Sequence, residues 1–339
     1  MIESIQFDAR IGASIATSFS LLIKLLKTDG IHKKHGYNTS EILEALGQPP
    51  ANIAEIISSV NEWECLKNTE MTTADEMGNY PNPEPKFLSR FLEIWASAKE
   101  GKIKGGITSK SGKITLEFKN PYYQEIKESA HCSIVLDATS TTEYVATRFN
   151  VNPKEIYWVS SPASDLSNIT IQPVDMGCKV GKERSGDLVS RLNGYRDQAP
   201  IDEKFIEYKD HAREGDLCHF SDARGSNLIE GSKVLNIFGI PRPNIGAKLS
   251  EYIALTGRLV KLEDEDEGFT RFYKDECLSM LIQEFGRLRA DRYTEEQFLI
   301  RVWDNEDLSE LRDFVCHVFL ILSAPSKAVV SDAGCTKGE

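Results

Sequence analysis

The chain has 339 residues, 40% of them hydrophobic, which is enough apolar material for a sizeable core and for more than one domain. Its formal net charge of -12 excludes a globally basic nucleic-acid-binding protein, so any contact with nucleic acid has to come from a local basic patch. The seven cysteines (Cys65, Cys132, Cys178, Cys218, Cys277, Cys316, Cys335) show no C-x-x-C and no paired spacing to histidines, which argues against a metal site and fits free thiols in a reducing compartment.

The amino terminus, MIESIQFDAR, carries acids early and lacks a signal-peptide pattern. The longest apolar runs, SLLIKLL and FVCHVFLILSA, are too short or too broken to span a bilayer, so a cytoplasmic protein with no membrane partner is expected. Residues 1–100 read as a helical region. IATSFSLLIKLLKTDG has helical spacing and closes on Asp29-Gly30, EILEALG starts after Thr39-Ser40 and stops at Gly47, and two more helices are expected over 51–63 and 85–99. TSEILEALGQPPANIAEIISSV has the outline of a helix-turn-helix, but its second helix offers no basic face, so packing of two short helices is the simpler reading.

A basic hairpin or linker is expected over 101–130. Within KEGKIKGGITSKSGKITLEFK (99–119), six lysines meet only Glu100 and Glu117, and glycines punctuate an alternating pattern. GGITSKSGK has the outline of a phosphate loop and fails its requirements. Ile107 stands where the first glycine is needed, and Ile114 follows Gly112-Lys113 where a hydroxyl has to hold magnesium. The lysines either touch a phosphate backbone or form a plain solvated hairpin.

From about residue 131 to 323 the pattern becomes α/β. Short apolar strands are expected at SIVLD (133–137), IYWV (156–159), FIEY (205–208), VLNIF (234–238) and FLIRVW (298–303). Between them lie helical stretches at 143–149, 184–198, 248–257 and 273–289. That alternation predicts a mostly parallel sheet covered by helices, with chemistry in the loops after the strands. EDEDEG (263–268) reads as a solvated loop, and 324–339 as a disordered tail.

Three stretches are candidates for chemistry: IVLDATST (134–141), with Asp137 and Thr139; the segment around Asp222, Arg224, Gly225, Ser226 and Asn227; and LIQEFGRLRADRYTEEQ (281–297), with Gln283, Gly286, Arg287, Arg289 and Arg292. Singly each has a plain structural reading, as a turn, a cap or a salt-bridged helix face. Together and in this order they resemble the second motor domain of a superfamily 2 helicase. With their flanks, FIEYKDHAREGDLCHFSDARGSN, IPRPNIGAKLSEYIALTG and IQEFGRLRADR, they resemble the helicase portion of cyanobacterial plasmid replication proteins. The resemblance covers about residues 130–305 and implies a RecA-like fold. It also implies DNA-backbone and nucleotide contacts from Asp137, Thr139, Asp222, Arg224, Gly225, Ser226, Asn227 and Gly286, and a catalytic group of Gln283, Arg287 and Arg289 that reaches a γ-phosphate. The general motif puts its last arginine at position 290, which is Ala290 here, so the division of labour between Arg287 and Arg289 stays open; Arg292 reads as structural.

A motor of this kind also needs a phosphate loop and an acidic pair for magnesium. No Gly-Lys-Ser/Thr occurs in the chain, and neither Asp75-Glu76 nor Asp275-Glu276 ends an apolar strand. The expectation is therefore a chain that does not hydrolyse ATP alone. ATP and Mg2+ would be engaged only with an upstream-encoded helicase or primase partner that supplies the ATP-gripping domain, acting on single-stranded or forked DNA. The alternative is a non-enzymatic replication accessory module that binds DNA or a replication protein. An unrelated α/β nucleotide-binding enzyme is a third reading. Hydrolase and metal readings fail: no G-x-S-x-G occurs, Cys218 and His219 are neighbours on a strand, and His211 and His219 lack a third ligand.

Overall fold

A computed structural model describes residues 36–62, 87–110, 113–119, 141–149, 151–157, 168–219 and 227–306, together with Ser20, Lys24, Lys27, Glu64 and Ser129. The chain divides into two units that are discontinuous in sequence. The first combines residues before Val135 with Val145–Val151 and Pro243–Tyr273, and the second combines Leu136–Tyr144 with Asn152–Arg242 and the chain from Lys274 onward. Residues 243–273, expected within the domain over 131–323, cluster with the first unit.

In the first unit, helix α1 (Thr39–Leu46) begins where Asn38 caps it. The Asn38 side chain accepts the Glu41 amide at 3.2 Å, and the Glu41 carboxylate accepts the Asn38 amide at 3.0 Å. It stops at Gly47, whose φ of 68° a side chain would resist. Residues 53–62 are helical as well. Helix α2 (Phe87–Ser97) has its amino end closed by a carboxylate from elsewhere: buried Glu64 accepts the amides of Leu88 at 2.7 Å and Ser89 at 3.2 Å. Trp95, fully buried, donates to the Gly47 carbonyl at 2.8 Å.

Strands β1 (Gly106–Lys110) and β2 (Lys113–Glu117) form the expected antiparallel hairpin. A plain solvated hairpin is not what the first unit holds, because Ile107 and Ser109 of β1 are buried. Helix α5 (Ile245–Thr256) lies so close that a Cβ at Gly106 would stand 2.2 Å from the Ser250 carbonyl oxygen. A knot of hydroxyls ties the elements together. Thr39 Oγ1 donates to the Ile107 carbonyl at 3.0 Å, accepts the Ile107 amide at 2.9 Å, and lies 2.8 Å from Ser250 Oγ. Ser250 Oγ also donates to the Ile107 carbonyl at 3.1 Å across 143 positions, one of the ties between 243–273 and the rest of the first unit.

The second unit is α/β. Strands β3 (Ile169–Val174), β4 (Lys204–Glu207), β5 (Leu217–Cys218), β6 (Val234–Phe238) and β7 (Phe298–Trp303) form a sheet in the order β3-β7-β6-β4-β5 with every pairing parallel, consistent with a RecA-like architecture. One face carries Ile206, Leu235, Ile237, Ile300 and Val302, all buried. On the other, Phe205, Phe238 and Trp303 join Leu188 and Leu192 of helix α4 (Gly186–Gln198) in one core cluster. Burial on both faces is what a parallel sheet demands. Helix α3 (Thr142–Phe149) and the long helix α6 (Glu267–Phe285) complete the described helices. The strand expected at 133–137 lies outside the described residues. Of 156–159, Ile156 and Tyr157 are described and are not strand.

Replacing Gly106 by alanine should cost about 3 kcal/mol, because the added methyl meets backbone rather than a side chain that could yield. Urea denaturation of the G106A variant checks this.

Candidate functional site

The candidate residues Asp137, Thr139, Asp222, Arg224, Gly225 and Ser226 lie outside the described residues. Asn227, Gln283, Gly286, Arg287, Arg289 and Arg292 are described, all in the second unit. Were the helix to continue through residue 289, Arg287 and Arg289 would point to different sides. It does not continue. Helix α6 ends at Phe285, Gly286–Leu288 tightens into a 3-10 turn, Arg289 takes a left-handed backbone with φ 51°, and Ala290–Arg292 makes a second 3-10 turn. Only Arg289 and Glu265 among the described non-glycine residues have a positive φ. Such a conformation costs a residue with a Cβ about 1–2 kcal/mol and persists where the surroundings impose it.

The surroundings are specific. The Gly231 amide donates to the Leu288 carbonyl at 3.0 Å, and Arg292 pairs with Glu230 at 2.7 Å. Buried Asn168 donates from Nδ2 to the carbonyls of Ala290 at 3.2 Å and Tyr293 at 3.1 Å. The turn that follows Asn227 is thereby joined to the turn that carries Arg289. Both lead into strands, at Val234 of β6 and Phe298 of β7, so the cluster stands at the amino edge of the sheet. The expectation that the third stretch follows a strand end is corrected, since it enters β7.

The two candidate arginines differ sharply. Arg287 Nε pairs with Glu284 at 3.0 Å, and its side chain is only 10% exposed, that of Glu284 3%. Arg289 is exposed, as are Asn227, Gln283 and Gly286. The left-handed residue therefore presents its guanidinium to solvent, while its neighbour holds a nearly buried carboxylate.

At the opposite, carboxyl edge, ligands of open parallel sheets enter where strand order reverses, here between β4 and β6. That place is filled by the protein's own groups. Arg184 grips Glu207 with two bonds of 2.9 and 2.6 Å, both side chains almost fully buried. Arg242 grips Asp304 at 3.1 and 2.9 Å, and Asp304 also accepts the Val180 amide at 3.2 Å. A Cβ at Gly239, where φ is +89°, would stand 2.0 Å from the Val180 carbonyl oxygen. Tyr208 donates to the Ile240 carbonyl at 2.7 Å, and burial pushes its hydroxyl up to about 12. Among the described residues, this packing occupies the carboxyl ends of β4 and β6.

Asp275 accepts from Thr141 at 2.7 Å and Glu276 accepts from the Tyr144 hydroxyl, so that acidic pair is engaged in structure. Among the described residues no group of three His, Cys, Asp or Glu is placed to hold a cation. Asp75-Glu76 lies outside them. His211 bonds through Nε2 with the Lys182 carbonyl at 2.9 Å, and His219 is buried beside the Tyr208 ring.

Sequence reasoning missed Glu284, Glu230 and Asn168, the groups that shape the arginine turns. Glu284 had a signal, its three-residue spacing to Arg287; the other two act across 62 and 122 residues or more.

Burial lowers the His219 imidazole from 6.5 to about 4, so it folds in its neutral form. The unfolded chain then binds more protons than the folded one between those values, and stability falls as pH drops through that window. The loss attributable to this residue should be roughly 3 kcal/mol. Unfolding free energy measured against pH should be flatter between pH 4 and 6.5 for H219F than for the native chain.

No protein-family model matches the chain, and no curated protein matches it.

Proposed function

We propose that the chain is the carboxyl-terminal motor half of a plasmid replication DNA helicase, working with a partner chain that supplies the ATP-gripping domain. The observation that carries this is the union of two candidate stretches at one sheet edge. The turn after Asn227 is bonded to the turn around Arg289, 57 residues after it through the Gly231–Leu288 contact, and Arg289 stands exposed there. Resemblance of the flanking sequence to the helicase portion of cyanobacterial plasmid replication proteins, over about residues 130–305, supports the same reading.

The chemistry follows from phosphoryl transfer, in which negative charge spreads over the equatorial oxygens of the γ-phosphate. A guanidinium supplied from a neighbouring domain stabilises that charge and contributes about 10³–10⁵ in rate. Arginine suits this because its planar fork binds phosphate in two places and keeps its proton. We assign the finger to Arg289, since Arg287 is committed to Glu284. Removing Arg287 would leave a buried carboxylate alone, a defect of stability before one of catalysis. Gln283 and Gly286 lie on the approach to Arg289, while Asn227 and the preceding Asp222–Ser226 segment are assigned to the DNA backbone. ATP and Mg2+ would be held by the partner, because the chain has no Gly-Lys-Ser/Thr phosphate loop and its Asp275-Glu276 pair is engaged in structure.

A second reading, a non-enzymatic accessory module that binds DNA or a replication protein, draws support from the pairing of Arg287, which removes one of two expected fingers. ATPase measurements separate them. The chain alone should be inactive, and its mixture with the upstream-encoded protein should hydrolyse ATP with DNA present. In that mixture R289A should lower kcat by about 10³ with KM little changed. R289G should do the same while raising unfolding free energy by about 1 kcal/mol, because glycine adopts the left-handed backbone without strain. A mixture no more active than its parts, or an R289A complex as active as the native one, would leave the accessory-module reading.

A further inference from the structure

In the first unit, Lys99, Lys102, Lys104 and Lys110 are all exposed, and none has an ion-pair partner among the described residues. This is unusual company in a chain of net charge -12. Elsewhere among the described residues five lysines find carboxylates, Lys179 with Glu306, Lys182 with Asp210, Lys233 with Glu296, Lys248 with Glu251 and Lys261 with Glu44, while Lys154, Lys204 and Lys209 stand singly rather than as a group. With acids in excess over the chain, four unpaired lysines within twelve residues, against the single exposed acid Glu100 among them, make a local excess of positive charge.

The backbone that carries them is fixed. Ile103 donates to the Gly257 carbonyl at 2.8 Å, Lys104 to Ser97 Oγ at 3.0 Å, and Ile107 to Thr39 Oγ1 at 2.9 Å. A Cβ at Gly105 would meet the Glu117 carbonyl oxygen at 2.6 Å, so the chain before β1 is held tightly as well. Lys110 ends β1, and Lys104 lies two residues before the strand begins. Lys110 stands opposite Lys113 in the hairpin register. Lysine ammonium groups are compact charges that suit phosphate as point contacts rather than reading bases.

We infer that this lysine rail is a sequence-independent binding surface for the phosphate backbone of a nucleic acid. It stands on a different unit from Arg289 and on different observations, so it does not depend on the motor reading. The experiment is fluorescence anisotropy of the full chain with a labelled oligothymidylate over a range of salt. Four lysine–phosphate contacts give a slope of log affinity against log salt of about -3, a loss of roughly 50-fold between 50 and 200 mM. The variant K99Q/K102Q/K104Q/K110Q should flatten the slope by that amount. K179Q/K182Q, which removes two charges from paired positions on the other unit, should leave it unchanged. Circular dichroism should show both variants folded, since all substituted side chains are exposed. The inference is overturned if the native chain does not bind the oligonucleotide, if the quadruple variant keeps the native slope, or if the paired-lysine control loses as much. Tighter binding to phosphatidylserine vesicles than to the oligonucleotide would overturn it as well.

Discussion

The second unit turns on one backbone constraint, the left-handed conformation of Arg289 between two short 3-10 turns. A helix that simply ran on would send successive arginines to different sides and bury or expose them by periodicity alone. The break separates their fates. Arg287 stays within reach of Glu284, one turn back, while Arg289 swings outward. Three independent contacts impose the break: the Gly231 amide on Leu288, the Asn168 amide on Ala290 and Tyr293, and the Arg292–Glu230 pair. Each comes from an element fixed by the sheet, so the strain of one residue is held by strands distant in sequence.

The two edges of the sheet are used differently. Buried arginine–carboxylate pairs and a loop pressed against Gly239 occupy the carboxyl edge. Those pairs are expensive to desolvate, and each is stable because both partners keep several bonds. At the amino edge the ionic contacts are fewer and one guanidinium is left to solvent. An exposed arginine on a strained backbone, beside a turn bonded to it across the chain, is the kind of asymmetry that packing alone does not require.

Much of the α/β pattern was legible. FLIRVW and VLNIF appear as strands with the bounds their apolar runs predicted, and FIEY differs by one residue at each end. ITIQPV was missed because Pro173 breaks a strand pattern. Proline is tolerated there because β3 is an edge strand of the described sheet. Leu217–Cys218 is too short to show any period. The helix end was misread because left-handed stops usually announce themselves with glycine, and here the glycine, Gly286, precedes the left-handed residue by three. For the site, residue types were readable but their commitments were not. Nothing local tells that Arg287 is engaged and Arg289 is not, since burial of Glu284 is a property of the packed unit. The grouping of 243–273 with the first unit was invisible for the same reason, since it involves contacts between distant segments such as the Thr39–Ser250 hydroxyls.

That knot has a consequence for how the molecule is made. Thr39 and Ser250 touch across 211 positions, and the first unit has no Ser250 until three-quarters of the chain has left the ribosome. Long-range closure of this kind slows folding and leaves the early segments waiting with unmatched polar groups and apolar faces. A nascent chain halted near residue 242 would carry β1 with Gly106 lacking the helix that lies against it, and would be prey for proteases and chaperones rather than a smaller working protein.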